Sequence, residues 1–85
     1  MVYNREMLEV RETTVFAKWL EALRDAKARP RIQARILRLR HGNFGEVKPV
    51  GESVSELRID FGPGYRLYCV QCGEQLSILL AGGSK

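Results

Sequence analysis

Apolar positions along this 85-residue chain change their period in a definite order, and each period predicts an element. Met7–Thr13 alternates loosely at Leu8 and Val10, as a strand with one buried face does. Phe16, Trp19, Leu20 and Leu23 then recur at i, i+3, i+4 and i+7. They form one apolar helical face, with Thr13 or Thr14 placed to cap the helix, and the aromatic stripe reads as core. Pro30 suits the first turn of a second helix, whose buried stripe is Ile32, Ile36 and Leu39. Arg31, Arg35 and Arg38 repeat that spacing one residue earlier, a parallel basic stripe about 100° round the helix. His41-Gly42 marks the stop, with His41 near the negative end of the helix dipole.

Beyond the helices, Asn43-Phe44-Gly45 and Pro49-Val50-Gly51 read as turns, with Lys48 between them. Val54–Phe61 alternates cleanly: Leu57, Ile59 and Phe61 lie on one side, Glu56, Arg58 and Asp60 on the other. Gly62-Pro63-Gly64 makes a tight connection. Tyr65–Cys72 and Gln75–Ala81 follow as two more strands, joined around Gly73-Glu74. The expected architecture is α+β, one domain over residues 1–85, in the order β-α-α-β-β-β. A helix pair packs on a mainly antiparallel four-stranded sheet.

Composition changes this picture little, but charge adds to it. The chain is 45% hydrophobic and 28% charged, as a globular domain is. The net charge of +4 is unevenly spread: residues 1–50 carry eleven Lys and Arg against six Asp and Glu, residues 51–85 three against four. A basic stripe of this kind favours a polyanion through phosphate contacts and counterion release, but also suits an acidic protein or a solvated helix face. No run approaches the ~20 apolar residues of a membrane span, and the first residues lack a signal-peptide core. The expected compartment is the cytoplasm. Cys69 and Cys72 form a Cys-x-x-Cys pattern inside a strand, where three residues separate α-carbons by roughly 10 Å, too far for a disulfide. A structural zinc would need further soft ligands, and His41 is the sole histidine. No metal or cofactor is expected.

The strand alternation also supplies candidate chemistry. If the leucines of Val54–Phe61 and Tyr65–Cys72 face the helices, Arg58, Arg66 and Tyr68 share the open face of the sheet. Two arginines there can hold one phosphate by forked hydrogen bonds, and a tyrosine can stack on a base. The alternative is structural: Arg58 between Glu56 and Asp60 can form cross-strand ion pairs, Lys48 can be an ordinary exposed loop residue, and Tyr68 a packing residue.

Several short pieces, in order, resemble a known family. They are Gly42-Asn43-Phe44-Gly45, Lys48-Pro49-Val50-Gly51, Ser55-Glu56-Leu57-Arg58-Ile59, Gly62-Pro63-Gly64-Tyr65-Arg66-Leu67-Tyr68 and Leu79-Leu80-Ala81-Gly82-Gly83-Ser84-Lys85. The set is similar to the RelE/HigB toxins known as addiction module killer proteins. The resemblance implies a RelE-like fold and a cytoplasmic toxin restrained by a cognate antitoxin. It also implies metal-independent endoribonuclease action on mRNA, usually in the ribosomal A site, and so inhibition of translation. Arg66 matches the arginine that many such toxins set on the scissile phosphate. Arg58 and Lys48 lie near the basic residues beside it, and Lys85 matches the lysine after the glycine pair. Tyr65 and Tyr68, with the helix arginines Arg31, Arg35 and Arg38, complete the expected RNA-binding set. Members of that family usually continue into a C-terminal helix, which the architecture expected here lacks. Two other readings stand beside the nuclease: a ParE-like toxin of the same fold acting on gyrase, and an inactive toxin acting only as a binding module.

Overall fold

The computed structural model describes residues 8–73 and 75–84. Along them run β1 (Glu9–Glu12), α1 (Thr14–Glu21), α2 (Ala28–Arg40), β2 (Val47–Gly51), β3 (Val54–Ile59), β4 (Tyr65–Cys72) and β5 (Leu76–Ser84). The sheet order is β1-β5-β4-β3-β2. β1 runs parallel to β5, and every other pairing is antiparallel. The expected strand at residues 7–13 is β1, although Met7 lies outside the described residues.

Local chemistry sets the ends of both helices. Thr13 is extended, and its Oγ1 accepts the Phe16 N–H at 3.1 Å. This relieves one of the orphan donors of the first turn. The same hydroxyl donates to the Leu80 carbonyl at 2.7 Å. Leu80 falls where the β4–β5 register shifts, between Cys69↔Leu79 and Tyr68↔Ala81. One side chain therefore starts α1 and ties it to the bulge in β5. α2 ends at Gly42, whose φ of 80° is open to glycine at little cost. There Asn43 N–H reaches the Arg38 carbonyl and Gly42 N–H the Leu39 carbonyl, both at 2.9 Å, a Schellman closure.

The core lies between the helix pair and one face of the sheet. Phe16, Leu20, Ala28, Ile32, Ile36 and Leu39 come from the helices, and Leu57, Ile59, Leu67, Cys69 and Leu79 from the strands. The leucines of β3 and β4 do face the helices, as the alternation predicts. The helix stripes are met too, with Trp19 and Leu23 half-buried at the margin.

The sheet differs from expectation in one respect: it has five strands, because Val47–Gly51 pairs with β3 rather than forming a turn. Pro49 and Gly51 disguise that strand, since proline lacks a ladder donor. β2 is an edge strand, fully exposed along its length, where a missing donor costs nothing. The reversal lies at Glu52-Ser53, both with positive φ (52° and 66°). That is the backbone of a two-residue primed hairpin turn, here without its usual Asn or Gly. Cys69 is buried and Cys72 exposed, and both are free thiols. Neither described helix is long and apolar enough to cross a membrane.

Candidate nucleic-acid interface

The face of the sheet turned away from the helices carries the charged cluster. Register places Lys48 opposite Glu56 and Glu56 opposite Tyr68, so these three share a face. Two residues along, Arg58 stands directly opposite Arg66. Like charges in that relation destabilise a strand pair. Glu56 offsets them. Its Oε1 accepts from Arg58 Nε at 3.1 Å, and its Oε2 lies 3.4 Å from an Arg66 terminal nitrogen. The Tyr68 hydroxyl donates to the same Oε2 at 3.2 Å. The carboxylate is 6% exposed, whereas the Arg58 and Arg66 side chains remain 42% and 31% exposed. The Arg58 hydrogen bond, aided by the Arg66 charge and the Tyr68 hydroxyl, holds the Glu56 carboxyl below its usual range despite the opposing effect of desolvation.

Glu56 was not among the residues that sequence reasoning picked for the site. Its alternation with Arg58 made it a possible ion-pair partner, which it is. What alternation could not tell is that two guanidiniums and a phenol converge on it, since two of the three come from β4. So engaged, Glu56 is a weak base and a strong positioning group for the arginines.

Two clefts flank the end of β3. The first, of about 250 Å³, is lined by Arg58, Arg66, Glu46, Asp60 and the neighbouring residues Ile59, Gly64 and Tyr65. The second, of about 400 Å³, lies toward α2, where Arg31, Ala34, Arg35 and Arg38 face Glu46, Arg58, Asp60 and Phe61 across Ile59. β2 pairs with β3 from Val47↔Leu57 onward, and one further bond, from the Arg58 N–H to the Glu46 carbonyl at 3.5 Å, closes the ladder where the two clefts meet. Glu46, Asp60 and Phe61 thus join the rim, and only their positions beside turn residues hinted at it.

The candidate residues divide accordingly. Arg58, Arg66 and Tyr68 come together on the open face; Lys48 shares that face but lines neither cleft. Arg31 and Arg38 are exposed and join Arg58 at the second cleft. Two residues must be corrected. Arg35 is not part of an exposed stripe: it is 5% exposed, and one terminal nitrogen donates to the Phe44 and Glu46 carbonyls. Burial, and then the Arg38 charge, lower its pKa. Tyr65 is not free to stack on a base. It sits in the core at 5% exposure, edge-on to Trp19 with ring centroids 6.4 Å apart. Lys85 lies outside the described residues.

The same arrangement of helices and strands occurs in solved structures. A chain of the intact Escherichia coli RelBE toxin–antitoxin complex superposes with a TM-score of 0.70 at 12% identity, covering 92% of this chain and 96% of that one. A chain of the Mycobacterium tuberculosis RelBE2 toxin–antitoxin complex gives 0.60 at 22% identity, covering 93% and 99%. HP0894 from Helicobacter pylori gives 0.56 at 21% identity, covering 92% and 94%. These likenesses establish a RelE-like fold. No protein-family model matches the chain. An uncharacterized protein from Haemophilus influenzae is 45% identical over 78 residues, 92% of this chain and 79% of that protein. The chain belongs to the same family as this Haemophilus influenzae protein.

Proposed function

We propose that this protein is the toxin of a toxin–antitoxin pair, of the RelE/HigB addiction module killer kind, and that it cleaves mRNA on the ribosome without a metal ion. The fold shared with chains of two toxin–antitoxin complexes supports the toxin assignment and a cognate antitoxin as its partner. The observation that carries the nuclease reading is the directly opposed pair Arg58↔Arg66, with a single buried carboxylate between them. Of the carboxylates near the cleft only Glu56 is paired with the two guanidiniums, which keep exposed donors turned to solvent, while Glu46 and Asp60 lie at the rim. A phosphodiester entering the 250 Å³ cleft accepts from those donors.

Attack by a ribose 2′-hydroxyl on the adjacent phosphorus forms a cyclic phosphate and breaks the bond to the 5′-oxygen of the next nucleotide, the hydroxyl proton passing to water and the 5′-oxygen taking one from water. Arg66 and Arg58 stabilise the charge that develops on the phosphoryl oxygens. Glu56 fixes their positions, and Tyr68 braces Glu56 in turn by donating its hydroxyl hydrogen to Oε2. Lys48 and Lys85 remain candidates for contacts beside the scissile phosphate, and Tyr68 for stacking on a base. A cytoplasmic site of action follows from the proposed substrate.

The test is inducible expression of the chain in a bacterial host, scoring growth and mapping mRNA 5′ ends, beside Arg66→Ala. Growth arrest with codon-phased cuts, both abolished by the substitution, is the expected result. Arrest with intact messages overturns the nuclease in favour of the gyrase-directed alternative. Absence of arrest, with antitoxin binding retained, leaves a binding module.

A further inference from the structure

We infer that the cleft between α2 and the end of β3 binds a second phosphate of the single-stranded RNA whose scissile phosphate lies at Arg58 and Arg66. This rests on the function proposed above and specifies the path of its substrate. Glu46, Arg58, Ile59 and Asp60 line both clefts, so the two adjoin along the edge at the end of β3. A strand leaving the open face at Arg66 has this edge to cross before it meets α2.

The second cleft is built for an anion. Arg31, Arg35, Arg38 and Arg58 line it against the carboxylates of Glu46 and Asp60, four guanidiniums to two acids. Arg31 is braced, its guanidinium carbon 4.7 Å from the centre of the Phe61 ring, so less side-chain freedom is lost on binding. Arg35 adds fixed charge from below. Its second terminal nitrogen is buried with no hydrogen-bond partner among the described residues. A buried cation with an unused donor is costly in isolation, and an anion in the cleft above lowers that cost. The roles differ: Arg31 and Arg38 are exposed and reach the ligand, while Arg35 supplies potential.

The test measures binding of an all-2′-O-methyl RNA hexanucleotide, which cannot be cleaved, by fluorescence anisotropy from 0.05 to 0.3 M salt. Each phosphate contact to a single strand contributes a salt slope of about −0.7. Arg31→Gln/Arg38→Gln, which removes the contacts to that one phosphate, should therefore flatten the slope by about 0.7 and weaken binding roughly 5-fold at 0.1 M salt. Arg24→Gln/Arg40→Gln is the control: it removes the same charge from exposed residues outside both clefts and should change affinity far less. Equal losses in the two double variants overturn the inference, since general charge then explains the binding. If only Arg66→Ala weakens binding, the inference falls and the proposed function stands. If Arg66→Ala leaves binding unchanged as well, both fall. Circular dichroism melting of each variant separates lost contacts from lost fold.

Discussion

Replacing Gly82 by alanine should destabilise the protein, whereas the same change at Gly83 should not. Gly82 lies on β5 opposite Leu67, beneath the Trp19 ring of α1. A Cβ added there would come 2.6 Å from Trp19 Cδ2 and nearer still to Cε3 and Cζ3. Carbon atoms prefer about 3.5–4.0 Å, so the indole must retreat by roughly 1 Å. It has little room, because Phe16 and Tyr65 flank it with ring centroids at 5.6 and 6.4 Å. Overpacking of this kind costs about 1–3 kcal/mol. In a domain of this size that lowers Tm by about 5–20 °C. A Cβ at Gly83 meets nothing within 4 Å. Gly83→Ala should be neutral, or stabilise by up to about 1 kcal/mol through a less flexible unfolded chain.

Urea unfolding followed by far-UV circular dichroism measures both variants, and the sole tryptophan, Trp19, gives a second signal in the same titration. The mechanism predicts more than a loss of stability. In a Trp19→Leu background the added methyl finds space, so Gly82→Ala should cost less there, with a coupling energy of about 0.5–3 kcal/mol. If Gly82→Ala and Gly83→Ala agree within about 0.5 kcal/mol, the indole does not rest on Gly82 and the reasoning fails. A full cost that persists without the indole refutes it equally.

Three further outcomes follow from the geometry. Because the Glu56 carboxyl is held below its ordinary 4.5, its contribution to stability is present above pH 4.5 and lost as pH falls through the lower folded-state value. Acid unfolding of the protein against Glu56→Gln should show the gap closing in that window; a constant gap would separate stability from this carboxylate. Glu52→Asn/Ser53→Gly gives the β2–β3 turn residues suited to its positive φ angles, and should raise stability by about 1 kcal/mol in chemical denaturation. No gain would place the reversal elsewhere. A thiol reagent should label exposed Cys72 at once and Cys69 only on unfolding, since Cys69 is buried and its burial raises its pKa. Rapid labelling of both would contradict the core position of β4.

Much of the scaffold and part of the site were legible because they depend on local periodicity. The i, i+3, i+4 spacing of Phe16, Trp19 and Leu20 and the alternation Leu57/Arg58/Ile59 each report which face is buried. Together they are enough to put Arg58, Arg66 and Tyr68 on one surface. What escaped depends on distant partners. For Tyr65 the alternation with Leu67 already implies the core face, and only its contact with Trp19 depends on α1 packing across β5. β2 carries no alternating burial, because every residue in it is exposed, and its strand character comes wholly from pairing with β3. Arg35 repeats the spacing of Arg31 and Arg38 near the margin of the buried stripe. A shift of part of a helical turn separates solvent from core there, and composition does not resolve it.

That buried arginine also fixes how the chain enters β2 beside the candidate site. Arg35 draws the Phe44 and Glu46 carbonyls against α2 by donating to both, the Glu46 oxygen also accepting the Arg58 N–H. Gly45 is required between them: its φ is 60°, and a Cβ there would lie 2.9–3.0 Å from the Arg35 guanidinium. Held in this way, the chain turns into β2 only at Val47, opposite Leu57. The Glu46 carbonyl, held by Arg35 on one side and by the Arg58 N–H at 3.5 Å on the other, fixes the last rung between the two strands. The fold thus accepts the cost of a buried cation with one terminal nitrogen unpartnered among the described residues, and the rung it fixes is where the two arginine-lined clefts meet. Arg35 is for this reason better understood as the residue that anchors the edge of the interface than as a contact within it.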